Sequence, residues 1–178
     1  MLLASFLSGT QIEKLLASLM DGYLRAAGES DPHRQSQVWD LLSNQEQQLC
    51  SQFQRFADDF AQVPAERARV STLPLALPYF DRLVPSASFD MRQMLKLHAQ
   101  GLRAACGEEG MTPEQRKRSA FTMTAEMMLM QHSCHWFCKS RTVASVRLMA
   151  RHKTAYEQVV QSVSPQTRKN YKMLLKSR

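Results

Sequence analysis

The sequence predicts an all-α protein, a single-domain helical bundle of about six to eight helices. Apolar side chains recur at intervals of three and four residues along most of the chain, as they do on the buried face of a helix. Capping residues and first-turn prolines begin several of these segments, and alternating strand patterns are almost absent. The irregular part is a proline-interrupted segment near residues 64–88, which holds four of the seven prolines.

The first long helix is predicted to begin at a capping box. In it the Thr10 hydroxyl and the Glu13 carboxylate would each satisfy a free backbone N–H. Gly28 is expected to end this helix, because glycine tolerates the left-handed conformation that often follows a last turn. A single apolar stripe runs between the two ends: Ile12, Leu15, Leu16, Leu19, Met20, Tyr23, Leu24 and Ala27.

The second helix is predicted to start at Asp31-Pro32, an N-cap residue followed by proline at the first helical position. Ser43 and Glu46 repeat the capping-box pattern, so we expect the chain to turn or kink there before the helix restarts and ends at Pro64. After this helix, the apolar side chains within residues 73–84 must be shielded from water. They would either pack over the bundle or offer a docking site to a protein partner.

Further helices are predicted in the second half of the chain. One is capped by Ser88, and the next opens at Thr112-Pro113 with a capping-box glutamine three residues after the threonine. Residues 114–164 contain neither glycine nor proline, and this stretch is longer than a single helix usually is. We therefore expect breaks near Ser140–Thr142 and Lys153–Thr154. Ser164-Pro165 begins the last helix.

Charge divides the chain into a helical body, residues 1–138, and a basic helical segment, residues 139–178, which we expect to pack on the same domain. The basic segment holds ten basic side chains and one acidic side chain, whereas the body holds thirteen basic and fifteen acidic ones. This asymmetry predicts an anionic partner, either nucleic acid or an acidic protein. On the last helix the basic residues form a stripe at spacings of four. The predicted contact residues are Arg141, Arg147, Arg151, Lys153, Arg168, Lys169, Asn170, Lys172 and Lys176.

Residues 159–171, Val-Val-Gln-Ser-Val-Ser-Pro-Gln-Thr-Arg-Lys-Asn-Tyr, resemble the turn and second helix of a helix-turn-helix motif. The resemblance covers about twenty residues. It implies that Arg141–Arg151 and Thr154–Gln161 are the preceding helices. It also implies that four side chains face the major groove of DNA: Gln166, Arg168, Lys169 and Asn170.

A second candidate site is the cluster of His132, Cys134, His135 and Cys138. The last three share one face of a helix, and thiolate and imidazole are good zinc ligands. The spacing, however, is neither that of common zinc modules nor the C-x-x-C-H of attached haem. Core packing and a reactive thiol are the competing interpretations, and no cofactor is expected.

No phosphate-binding loop, zinc-protease motif or nucleophile elbow occurs, so an enzyme is not expected. We expect a non-enzymatic regulatory protein that binds nucleic acid through its basic C-terminal helices. One alternative is a protein–protein adaptor or anti-regulator with an apolar groove, at residues 73–84 or at the methionine-rich helix. Another is a metal- or haem-binding helical protein centred on the His/Cys cluster.

Four cysteines without an export signal are typical of reduced thiols in a cytoplasmic protein. No apolar run approaches the roughly 18 residues that a membrane-spanning helix needs. The sequence leaves the oligomeric state open, a dimer included.

Overall fold

The computed structural model describes residues 2–73, 87–108 and 110–176. Within these residues the chain forms nine helices and one pair of short strands, so the predicted all-α bundle is confirmed. Nearly all of the predicted docking segment, residues 73–84, lies outside the described residues. The elements are α1 (Leu2–Leu7), α2 (Ile12–Gly28), α3 (Pro32–Phe60), α4 (Ala65–Ala68), β1 (Arg69–Ser71), β2 (Ser88–Asp90), α5 (Met91–Ala105), α6 (Pro113–Cys138), α7 (Arg141–His152), α8 (Tyr156–Ser162) and α9 (Pro165–Lys176).

The core lies between α3, α5 and α6, with α2 packed along α3 and α9 packed on α5. Phe60 of α3 makes edge-to-face contacts with Phe6 and Phe137, with ring centroids 5.4 and 5.7 Å apart. The methionine-rich helix α6 contributes side chains to this core. Its fully or almost fully buried methionines are Met123, Met127 and Met130.

The two strands form an antiparallel ladder in which Arg69 is opposite Asp90 and Val70 is opposite Phe89. The Trp136 indole of α6 donates to the Ser71 carbonyl at 3.0 Å and meets the Phe89 ring edge to face. Ser88 belongs to this ladder, so the predicted cap at Ser88 is wrong. Asp90 caps α5 instead, because its carboxylate accepts the Arg92 N–H at 2.8 Å.

The predicted capping box at Thr10 is also wrong. The Thr10 hydroxyl donates to the Leu7 carbonyl at 2.9 Å, whereas the N-cap residue of α2 is Gln11 and no described side chain caps this helix. At this end of α2 the Gln11 N–H donates to Gln52 Oε1 of α3 at 2.8 Å. At the other end Gly28 is the last helical residue and does not take a left-handed conformation.

The predicted kink at Ser43 is absent, and α3 runs unbroken for 29 residues. The Ser43 hydroxyl donates to the Trp39 carbonyl one turn earlier, at 3.0 Å, which is compatible with a continuous helix. Glu46 turns inward and is buried. The Arg116 guanidinium of α6 also donates to the Ser43 hydroxyl, so tertiary contacts use both residues of the expected capping box.

The remaining helix signals are confirmed. Thr112 and the glutamine three residues later form a complete capping box, and Asp31 caps α3. Ser140 accepts the Val143 N–H at 3.2 Å and so separates α6 from α7. Lys153 ends α7 in the left-handed conformation, with φ of 54°.

In the part of the chain that the structure describes, no helix combines the length and the apolar character that crossing a lipid bilayer requires.

Candidate nucleic-acid interface

Helix α9 is anchored through one buried face. Tyr171 is completely buried, and Thr167 almost so. The Ser164 N–H at the start of α9 donates to Glu126 Oε1 of α6 at 3.1 Å. Gly101 of α5 permits this approach, because a Cβ atom there would meet the Glu126 carboxylate and would lie 2.7 Å from Thr167 Oγ1. Burial raises the pKa of Glu126, against the opposing effect of hydrogen bonds from Thr167 and Ser164.

The opposite face of α9 presents three lysines to solvent: Lys169, Lys172 and Lys176. Exposed Met173 lies among them. None of these lysines forms an ion pair with a carboxylate of the described residues. We call this set the α9 lysine face. Its positive charge is uncompensated, which leaves it available to an anionic partner.

Arg168 does not belong to this face, although the sequence places it in the basic stripe. Its side chain is half-buried, and its guanidinium donates to the carbonyl and the side-chain oxygen of Gln161 at 3.3 and 2.8 Å. Asn170 is also half-buried and accepts a hydrogen bond from Gln166 at 2.9 Å. Both predicted contact residues therefore serve contacts within the C-terminal helices.

The helices expected from the helix-turn-helix resemblance are present, since α7, α8 and α9 follow in the implied order. The last two helices pack on different parts of the bundle, because α8 contacts mainly α6 whereas α9 contacts mainly α5. Of the four residues expected to face a major groove, Gln166 and Lys169 are exposed. Only two of these four α9 side chains are therefore exposed, fewer than the resemblance implies.

Arg141 of α7 is held by aromatic rings. Its guanidinium lies 5.6 Å from the Trp136 ring centroid and 5.3 Å from that of Tyr156. Such cation–π contacts stabilise the junction of α6, α7 and α8. Arg141 therefore supports the C-terminal helices rather than offering a free charge, whereas Lys153 between α7 and α8 is exposed.

Arg147 and Arg151 form a second basic group beside His135 of α6. These three side chains lie at one side of a cleft of about 380 Å³ between α1, α2, α3, α6 and α7, and both cysteines of the His/Cys cluster also line it. Burial lowers the pKa of His135, and the two arginines lower it further. The two exposed guanidinium groups beside the neutral imidazole give this cleft positive charge, which the Glu13 carboxylate in the same lining partly offsets.

The structure divides the predicted His/Cys cluster. His132 is not among the residues that line the cleft. It stacks on Tyr156 with ring centroids 4.5 Å apart and contacts Ser145 Oγ through Nε2 at 3.0 Å. Burial raises the pKa of the Cys134 thiol to about 12, with a further contribution from Cys138, which leaves it protonated. Among the described residues, no group of three His, Cys, Asp or Glu side chains is arranged to hold a metal ion.

A polar chain that the sequence did not indicate runs through the interior beside α9. His98 Nε2 lies 2.9 Å from Ser133 Oγ, whose hydroxyl donates to the Leu129 carbonyl. The Tyr156 hydroxyl donates to the Tyr171 hydroxyl at 3.1 Å. His98 and Ser133 are completely buried, so they are closed to a substrate despite the serine–histidine pairing. A side-chain hydrogen bond between Tyr171 and Ser133 joins the two pairs, so the chain fixes α9 against α5, α6 and α8.

Acid is expected to weaken the fold through the buried histidines. Burial lowers the pKa of His98 to about 3 and that of His132 to about 4, below the ordinary value of 6.5. The unfolded chain therefore binds more protons as the pH falls below about 6.5. Each histidine should remove about 1 kcal/mol from the free energy of unfolding between about pH 6.5 and 5.5. Glu126 acts in the opposite direction, since its raised pKa favours the folded state as the pH falls.

Urea unfolding across this pH range measures the effect. His98→Gln should flatten the dependence of stability on pH, whereas His33→Gln, at an exposed histidine, should leave it unchanged. Equal slopes for His98→Gln and the unmodified protein would contradict the assignment.

Two features could not be predicted from the sequence: the polar chain and the contact between the sulfur atoms of Cys50 and Cys106. Their partners are 35 and 56 residues apart, and no local pattern links them. A scan of protein-family models and searches of curated proteins and solved structures found no match to this chain. The candidate interface is therefore defined by its own geometry.

Proposed function

We propose that this protein is a non-enzymatic regulator that binds nucleic acid through the α9 lysine face. The supporting observation is that the three lysines are exposed and free of ion pairs with described carboxylates, on a helix whose other face is buried. A fixed row of ammonium groups neutralises phosphates without needing a particular base sequence. The exposed Gln166 amide adds a hydrogen-bonding group at the start of the same face.

Arg147, Arg151 and Lys153 are proposed as secondary contacts. They are exposed on α7 and at its end, and no described carboxylate pairs with them. We propose the cytoplasm as the compartment, because all four cysteines are free thiols, which reducing surroundings maintain.

Salt dependence of binding tests the proposal. Labelled duplex DNA, single-stranded DNA and duplex RNA are titrated with the full chain at two salt concentrations, and binding is followed by fluorescence anisotropy. Three phosphate contacts to duplex DNA predict a slope of about −2.7 for log K against log salt, which is a loss of affinity of about 40-fold between about 50 and 200 mM salt. Absence of binding at the lower concentration would reject the function.

Polyglutamate serves as the control polyanion in the same experiment. A nucleic-acid site should prefer phosphate-bearing probes to polyglutamate of equal charge. If polyglutamate competes equally at both salt concentrations, an acidic protein replaces nucleic acid as the indicated partner class.

A further inference from the structure

Two cysteines from distant parts of the chain meet at one edge of the bundle. Cys50 lies on α3 and is buried, whereas Cys106 directly follows α5 and is half-exposed. Their Sγ atoms are 3.0 Å apart across a sequence separation of 56 residues, and both are free thiols. This distance brings the two sulfurs into direct contact, and one of the two residues, Cys106, is partly exposed to solvent.

Glu46 holds the two segments together around the sulfurs. It lies one turn before Cys50 on α3, and its carboxylate accepts the Tyr23 hydroxyl at 2.6 Å. Its other oxygen accepts the backbone N–H of Gly107 at 2.9 Å. The residue next to Cys106 is therefore tied to α3, which keeps the sulfur of Cys106 beside that of Cys50.

The sulfurs also influence each other's ionisation. The hydrogen bond from Cys106 lowers the pKa of Cys50, against burial and the nearby Glu46 carboxylate, with a contribution from Arg103. The pKa of Cys106 is raised, first by its hydrogen bond to Cys50 and then by burial. The pair therefore releases one proton more readily than the second, and the remaining S–H stabilises a single thiolate.

We propose that Cys50 and Cys106 form a redox-active dithiol that a low-molecular-weight disulfide converts to an intramolecular disulfide. The proton shared across the 3.0 Å contact passes to Cys50. The half-exposed Cys106 thiolate formed in this way attacks one sulfur of the external disulfide, which gives a mixed disulfide and releases one thiolate, and the released thiolate takes up the proton of Cys50. The Cys50 thiolate then attacks Cys106 Sγ and releases the second. The two cysteines lose two protons and two electrons, and the external disulfide gains both as two thiols.

The other two cysteines provide an internal comparison. Cys134 and Cys138 lie four residues apart on α6, where side-chain directions run parallel and suit a disulfide poorly. Burial raises the pKa of both thiols. They should remain reduced under conditions that oxidise the proposed pair.

Oxidation of the native, fully reduced chain by oxidised glutathione tests the proposal. After the remaining thiols are alkylated, peptide mass spectrometry should show a bond between Cys50 and Cys106, and the titratable thiols should fall from four to two. Dithiothreitol should restore all four. Failure to form this link at any glutathione ratio, or equal cross-linking of Cys134 or Cys138, would overturn it.

Two variants examine the order of steps. Cys50→Ser should stop at a stable glutathione adduct on Cys106, because the second attacking sulfur is missing. Cys134→Ser, a matched loss of one thiol outside the pair, should still form the Cys50–Cys106 bond. The wild-type result decides the proposal even if a variant misfolds, and it is independent of nucleic-acid binding.

Discussion

Replacing all three residues of the α9 lysine face with glutamine should weaken nucleic-acid binding at least 100-fold at low salt. This figure of about 100-fold follows from the loss of three phosphate contacts, and the salt slope should fall by about three. The substitutions are Lys169→Gln, Lys172→Gln and Lys176→Gln, at exposed positions that make no described ion pair. Fluorescence anisotropy at several salt concentrations measures both quantities, and circular dichroism checks that helicity is retained.

A matched triple variant separates the position of the charge from its amount. Lys14, Lys117 and Arg118 are exposed and lie outside the basic C-terminal segment. Changing them to glutamine removes the same charge, and we expect an affinity within about threefold of the unmodified protein, since only long-range attraction is lost. Equal weakening by both triple variants would assign binding to net charge and would contradict a specific α9 face.

Tyr171→Ala should lower the free energy of unfolding by about 4 kcal/mol, as truncation of a fully buried aromatic side chain commonly does. The ring is completely buried, lies 6.2 Å from the His98 ring between centroids, and accepts a hydrogen bond from Tyr156. Its removal leaves a cavity under α9 and an unpaired hydroxyl on α8. Urea unfolding followed by circular dichroism measures the loss.

Met173→Ala is the control within the same helix, because Met173 is 59% exposed. We expect it to change stability by less than about 0.5 kcal/mol. Tyr171→Phe isolates the hydroxyl and should cost about 1 kcal/mol. A loss below about 1 kcal/mol for Tyr171→Ala would show that α9 is not anchored through this ring.

Local signals predicted the helix boundaries only where no distant residue competes for the same group. Thr112 keeps its capping box at an exposed helix start, so its sequence pattern suffices. Ser43 carries the same kind of pattern, but its hydroxyl bonds within α3 and the matching Glu46 serves Tyr23. The sequence shows where a capping box can form. It does not show which other hydrogen-bond partners the two side chains will meet, because helix packing decides this.

The candidate site could likewise be predicted only in part. Helical spacing correctly indicated a basic helix starting at Pro165, with an apolar side that docks. It could not indicate that Gln161 holds Arg168, because that contact depends on the angle between α8 and α9. It also could not indicate that Trp136 and Tyr156 hold Arg141. Periodicity identifies which residues share a face, but it does not show which of them tertiary contacts occupy.

The positions of the two tryptophans give the protein separate optical reporters for two parts of its bundle. Trp39 lies on α3 against Tyr23 of α2, with centroids 6.2 Å apart. Trp136 lies where β2, α6 and α7 meet, between Phe89 and Arg141. Variants that keep a single tryptophan would therefore follow each region by fluorescence alone. Coincident transitions would mean that the two regions melt as one cooperative unit.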